Sequence, residues 1–261
     1  MKMILFTVIL AISISFAGEK LSAKEIIDKA DDVSKISGVE SISVMTIVDG
    51  KGRERVRKVA QVTKLYDKGN TEKKMIRFLS PADVKGTGLL TYDYKEKDDD
   101  MWLFMPALRK TRRIVSSEKA KSFMGSEFSY ADMNPPVLDE FTYKILSEEK
   151  CGEADCWKIE IVPKDDDIAE ENGFSKRITS IDKSNYVVKQ TIYYDLDGEL
   201  HKELTVNAVK ELDAEKGKFR PTDLVMINKQ NGRKSLLVIE KMVLNPKVKD
   251  EYFTTRYLER P

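Results

Sequence analysis

The chain has 261 residues, with 45 lysines and arginines against 44 aspartates and glutamates, a single histidine and two cysteines. So even a balance gives no electrostatic reason to expect nucleic acid or an anionic membrane surface as a partner. The two cysteines have no third or fourth ligand beside them, which argues against a structural zinc cage, and no cofactor is implied.

Residues 1–17 read as a cleavable secretory signal. Lys2 supplies the positive start, Met3 to Ile14 are apolar apart from Thr7 and Ser13, and Ser15-Phe16-Ala17 place small residues before a cut at Gly18. The apolar run is shorter than the roughly 20 residues that a membrane-spanning helix needs. The mature chain, 18–261, is then expected to be one soluble domain in the periplasm, with no lipid anchor because no cysteine stands at the cut.

Ser22-Ala-Lys-Glu25 reads as a capping box that opens a helix, with Ile26, Ile27, Ala30 and Val33 forming one apolar stripe and Gly38 placed to end it. That stripe has to be buried, and the expectation is a helix over 22–36 lying across the opening of a sheet.

From Glu40 the pattern changes to short β-branched and aromatic runs separated by turns such as Asp49-Gly50-Lys51-Gly52, Lys68-Gly69-Asn70, Asp195-Leu-Asp-Gly198 and Gln230-Asn-Gly232. Strands are predicted near 41–48, 53–65, 73–79, 88–94, 101–105, 111–115, 141–147, 157–162, 175–182, 186–194, 200–211, 219–229 and 234–243. The fold class is mainly β: a large curled antiparallel sheet with a capping N-terminal helix and short helical segments. In 186–194, alternation puts Val188, Gln190, Ile192 and Tyr194 on one face and Val187, Lys189, Thr191 and Tyr193 on the other.

Residues 75–133 differ in character. Trp102, Phe104 and Pro106 share one strand face while Leu103 and Met105 take the other, so this run is apolar on both sides, as in a central wall. Phe123, Met124, Phe128 and Tyr130 follow on a loop containing Gly125; they either plug a core or line a mobile entrance. Arg109, Lys110, Arg112 and Arg113 form the dense basic cluster, read either as a solvated turn or as a mouth that holds a phosphate or carboxylate head group.

Cys151 and Cys156 flank Gly-Glu-Ala-Asp at a predicted hairpin tip. In an oxidising compartment they are expected to form a disulfide that pins the hairpin; the spacing is not that of a C-x-x-C redox pair. His201 reads as a surface residue, and Asp98–Asp100 and Asp165–Asp167 as solvated loop tips. No catalytic constellation is found, so no catalytic residue and no metal site is assigned and the chain is expected not to be an enzyme.

Three blocks carry a family resemblance: Arg77-Phe-Leu-Ser-Pro-Ala-Asp-Val-Lys-Gly-Thr-Gly88, then Trp102-Leu-Phe-Met-Pro-Ala-Leu-Arg-Lys-Thr-Arg-Arg-Ile114, then Ser122-Phe-Met-Gly-Ser-Glu-Phe-Ser-Tyr-Ala-Asp132. In these the chain resembles the outer membrane lipoprotein-sorting protein family, a LolA-like group. The resemblance implies an incomplete antiparallel β-barrel whose apolar hollow accepts lipid, an acyl chain or lipoprotein cargo in the periplasm. It also implies a possible inner-membrane partner, a transporter of the resistance-nodulation-division (RND) type.

On that reading Leu89, Trp102, Phe104, Met105, Phe123, Met124, Phe128 and Tyr130 are the candidate residues for hydrophobic cargo, with Phe123 to Tyr130 as the gate. Arg109, Arg112 and Arg113 are the candidates for a head group, and the chain is expected to be a monomer. The alternative is an envelope interaction module whose sheet is filled by its own side chains and docks a partner.

Overall fold

The computed structural model describes residues 20–245 and 247–260; the predicted signal over 1–17 lies outside them. In chain order the strands are β1 (Val39–Val48), β2 (Glu54–Tyr66), β3 (Thr71–Ser80), β4 (Gly88–Tyr94), β5 (Lys97–Met105), β6 (Lys110–Ile114), β7 (Phe141–Cys151), β8 (Ala154–Pro163), β9 (Lys176–Asp182), β10 (Val188–Tyr194), β11 (Leu200–Asp213), β12 (Lys218–Asn228) and β13 (Lys234–Leu244). Each predicted strand is present, and the fold is mainly β, as expected.

All thirteen join one antiparallel sheet in the order β6-β5-β4-β3-β2-β1-β13-β12-β11-β10-β9-β8-β7. Consecutive hairpins build two wings, β1–β6 and β7–β13, and the β1–β13 pairing sews them together. The sheet is not closed: β6 and β7 are its free edges. Bulges at Ile42/Ser43 opposite β13, at Val206/Ala208 in β11 and at Val188/Gln190 in β10 add local bend.

One consequence of this order governs the site. The chain leaves β6 at one edge and must re-enter at β7, the opposite edge. Residues 115–140 make that crossing over the inner face, as a helix of only four residues (Ser116–Lys119) and a series of tight turns. The connection therefore becomes part of the core.

Helix α1 (Ala23–Asp32) starts as the sequence predicts: Ser22 N–H donates to Glu25 Oε2 at 2.7 Å, and Glu25 N–H donates to Ser22 Oγ at 3.3 Å. It ends sooner than Gly38, because β12 takes its last carbonyls. Lys218 Nζ donates to Asp32 O at 2.8 Å, Phe219 N–H to Val33 O at 3.0 Å, and an Arg220 Nη to Ser34 O at 3.1 Å. Ion pairs from Lys24 to Asp139 (2.5 Å) and from Lys95 to Asp28 (3.0 Å) tie α1 to segments beside both sheet edges. Ile26 and Ile27 are buried, each stabilising the fold by about 1.5–3 kcal/mol.

The core has three parts. On the inner face of the first wing, Met45, Ile76, Phe78, Leu89 and Leu103 pack with Phe123 and Tyr130 of the crossing segment. On the inner face of the second wing, Ile159, Ile161, Ile181 and Met226 pack with Ile26, Ile27 and Phe128. On the outer face, Met75, Leu90 and Phe104 are covered by Val248, Phe253 and Leu258 of the C-terminal segment.

Three local expectations are corrected. Cys151 and Cys156 are free thiols. The hairpin is tighter than predicted, with Cys151 opposite Ala154 and Cys156 opposite Glu149, so the two cysteines are diagonal neighbours. Burial and the neighbouring Cys151 thiol push the Cys156 thiol up, which keeps it protonated and unreactive. Asp98–Asp100 is not a loop tip but the start of β5, with Asp99 accepting from Asn134 Nδ2 at 2.7 Å, while Asp165 N-caps the short helix Asp166–Asn172 through Ile168 N–H at 2.9 Å. Finally, the bulge in β10 moves Val188 to the inner face with Thr191 and Tyr193, breaking simple alternation.

Candidate functional site

Between the inner face and α1 lies a cavity of about 420 Å³. Residues of β1, β2, β3 and of β8 through β13 all reach it, so the sheet wraps around this space. Its floor is apolar: Met45, Val59, Ile76, Leu224, Met226 and Leu237, with Leu237 packed against both inner clusters. The roof is α1, through Ile27 and Ala30, together with the turn 131–136 that contains Pro135 and Pro136. Phe123 and Phe128 wall one side.

The crossing segment that brings Phe123 and Phe128 here is firmly held. Glu127 is buried, accepts from Asn228 Nδ2 at 3.0 Å, forms an ion pair with Arg233 at 2.9 Å, and its N–H donates to Ser235 Oγ at 2.9 Å. Arg57 donates to Met124 O, and an Arg233 Nη donates to Gly125 O at 3.1 Å. Met124 and Gly125 both adopt positive φ, 53° and 76°, which turns these carbonyls toward the arginines. Ser126 and Ser129 close the loop on itself through Phe123 O and the Asp132 carboxylate. These contacts tether the segment to β2, to β12 and to the turn and strand that follow it.

The other sequence candidates fall in three places. Leu89, Met105, Met124 and Tyr130 belong to the inner packing beside the wall, with Tyr130 edge-on to Phe123 at 5.6 Å. Trp102 and Phe104 point to the outer face, where Trp102 stacks edge-on with Tyr92 at 5.0 Å under the C-terminal segment. Arg109, Arg112 and Arg113 sit on or beside edge strand β6 and do not reach the cavity; Arg112 pairs with Glu118 at 2.5 Å and Arg113 with Asp100. These two guanidinium groups are already answered by carboxylates.

A polar rim missed by sequence reasoning runs under the C-terminal end of α1: Asp31, Lys35, Glu72, Lys74, Arg177 and Arg220. Burial pushes the Asp31 carboxyl up to about 7, opposed by Lys35 and Arg177. Burial likewise lowers Arg220 from its ordinary range. Beside the rim, Asp93 and Asp99 share a buried site with Asn134 and Lys74, and burial raises both carboxyls. Nothing in the local sequence marks these residues, because they come from α1 and the turn after it, β3, β4, β5, β9 and β12, and only the curled sheet gathers them.

Comparison with known proteins gives the family. A family model described only as an uncharacterized protein matches residues 70–260. The structure is similar to a domain described as that of an outer membrane lipoprotein-sorting protein from Vibrio parahaemolyticus, at 26% identity, TM-score 0.82 and coverage of 91% of this chain and 98% of that one. The chain belongs to the family of that model, and its structural neighbours are outer membrane lipoprotein-sorting and LolA-like proteins.

A DUF1329 family protein from Desulfovibrio piger is equally similar in shape, with 28% identity, TM-score 0.82 and coverage of 90% and 97%. A LolA superfamily protein from Nitrosomonas europaea shares the LolA-like fold at 19% identity and TM-score 0.69, covering 91% of this chain and 100% of that one. No curated protein matches the chain in sequence.

The LolA-like motifs now have physical reasons. Gly88 lets the C-terminal segment approach, since a Cβ there would stand 2.6 Å from Leu258 Cδ1. Gly86, at φ 82°, turns the chain where a Cβ would lie 3.1 Å from Pro106 Cγ. The third block is the wall itself. Among the described residues no group of three metal-ligating side chains occurs, and no helix is long and apolar enough to cross a membrane.

Proposed function

We propose that this LolA-like chain is a non-enzymatic periplasmic carrier that holds a lipidated or otherwise hydrophobic cargo in the cavity beneath α1, and that an RND-type transporter is its partner. The observation that carries the reading is the cavity: about 420 Å³, apolar in its floor and walls, within the range of ligand pockets, about 300–1,000 Å³. A sheet filled by its own side chains, as in the interaction-module alternative, would leave no such space. The similarity to a lipoprotein-sorting domain supports the same reading.

Within this proposal Phe123 and Phe128 contact the cargo directly, while Leu89, Met105, Met124 and Tyr130 hold the wall behind them. Helix α1 is the cover. β12 holds its C-terminal end, but the rest of the helix is joined to the sheet by two isoleucines and a few surface ion pairs, which are individually weak, so it can hinge there more easily than the wall can move.

The test is native mass spectrometry of exported protein before and after delipidation. The purified protein should carry, or after delipidation take up, one lipid or lipopeptide mass. Bare protein that takes up neither under any lipid class would leave the interaction module as the better account.

A further inference from the structure

The polar rim contains two arginines that line the cavity. Arg177, on β9, lines the cavity with its Nε sealed from solvent and without a hydrogen-bond acceptor; its guanidinium lies 5.4 Å from the Phe174 ring. Arg220, on β12, lines the same cavity and donates through one Nη to Ser34 O at 3.1 Å. Neither forms an ion pair with a carboxylate among the described residues.

Unpaired guanidinium groups under a helix and beside an apolar floor are costly unless something answers them. The acidic groups of the rim are otherwise engaged. Asp132 accepts from Ser129 N–H at 2.7 Å, from Ser129 Oγ at 2.9 Å and from Tyr193 Oη at 3.3 Å. Glu72 is 3.8 Å from Lys74, whose ammonium also donates to Met133 O at 2.6 Å and Asn134 Oδ1 at 3.1 Å. Asp31, raised to about 7, carries less than a full charge near neutrality. The rim therefore keeps a surplus of positive charge, directed at one end of the apolar space.

We propose that Arg177 and Arg220 form a head-group site for an anionic amphiphile: a carboxylate or phosphate between the two guanidinium groups, with its hydrocarbon chain along Met226, Leu237 and Ile76. This rests on the carrier reading and narrows it to cargo with one negatively charged polar end. A guanidinium suits such oxygens because it donates two parallel hydrogen bonds to them.

The experiment uses the delipidated protein and two fluorescent probes with the same chain, cis-parinaric acid and its uncharged methyl ester, titrated at neutral pH. The acid should bind about tenfold or more tightly than the ester. Arg177→Gln and Arg220→Gln should each bring the acid toward the ester's affinity and leave the ester unchanged, whereas Arg112→Gln should alter neither.

Equal binding of acid and ester to the unaltered protein would overturn the head-group site and leave the carrier reading intact; this arm does not depend on any variant folding. Failure of both probes to bind would overturn both readings. Millimolar inorganic phosphate should not displace the acid. Displacement would make this a site for free anions and refute the amphiphile assignment.

Discussion

Asp31 is the residue at which the chemistry of the cavity meets the stability of the fold. An ordinary aspartate loses its proton near pH 4, but burial beneath α1 lifts this one to about 7, with Lys35 and Arg177 opposing and Asp28 and Asp93 adding to the rise. Between those limits the folded chain retains a proton that the unfolded chain has lost, so this contribution to stability is complete below about pH 4 and is lost as pH rises toward 7. Lowering the pH from about 8 to about 5.5 should therefore raise the melting temperature, and Asp31→Asn should flatten the slope, leaving the part due to Asp93 and Asp99. An unchanged slope in the variant would show that Asp31 titrates normally. Glu127 gives a second expectation at this scale. Glu127→Leu leaves Asn228 without its acceptor and Arg233 without its carboxylate partner and should lower the unfolding free energy by about 2–4 kcal/mol in urea titration; a loss under about 0.5 kcal/mol, the size of an ordinary surface change, would mean that the wall is not held by this network. Neither residue was legible in the sequence. Glu127 lay within a recognised block, but its partners stand about a hundred positions away on β12 and β13, and Asp31 looked like any exposed helix carboxylate.

At the scale of elements, local pattern carried most of the information. The capping box, the apolar stripe of α1 and every strand were readable, because turns and alternation are local properties. What local pattern could not show is which face of a strand turns inward once neighbours bend it. Trp102 and Phe104 were assigned to the cavity on apolarity alone, yet their face is the outer one, and the bulge in β10 reversed Val188. The C-terminal segment explains the misassignment: it supplies a second, outer core that uses the same kind of apolar residue as a cavity wall. Arg77 donates to Tyr257 O and Leu258 O at 2.9 and 3.0 Å and so clamps that segment onto β3. Gly88→Ala tests the close approach directly. Its new methyl would meet Leu258, which is fully buried, and should lower stability by about 1–3 kcal/mol in thermal or urea unfolding. Wild-type stability in this variant would show that the segment packs more loosely than the structure has it.

For the whole molecule, the topology sets the division of labour. A sheet whose wings end at opposite edges needs a long crossing between β6 and β7, and that crossing fills part of the hollow with Phe123, Phe128 and Tyr130 while leaving a cavity under α1. Stability and cargo binding are thus assigned to different faces, and substitutions should separate them. Leu237→Trp places a larger ring in the floor where both inner clusters meet, next to about 420 Å³ of free space. The added volume has room, so the fold should be retained with a stability change within about 1.5 kcal/mol, while uptake of lipid by delipidated protein should fall at least about tenfold. Trp102→Ala should do the opposite. It removes a ring from the outer core and should destabilise by about 3 kcal/mol or more, yet leave lipid affinity in the folded protein unchanged, because Trp102 does not reach the cavity. Saturating lipid should also raise the melting temperature of the wild type and of Trp102→Ala but not of Leu237→Trp, since only a ligand bound to the native state stabilises it. If Trp102→Ala lost lipid binding while circular dichroism showed it folded, the cargo would have to lie on the outer face, and the cavity beneath α1 would no longer be the site.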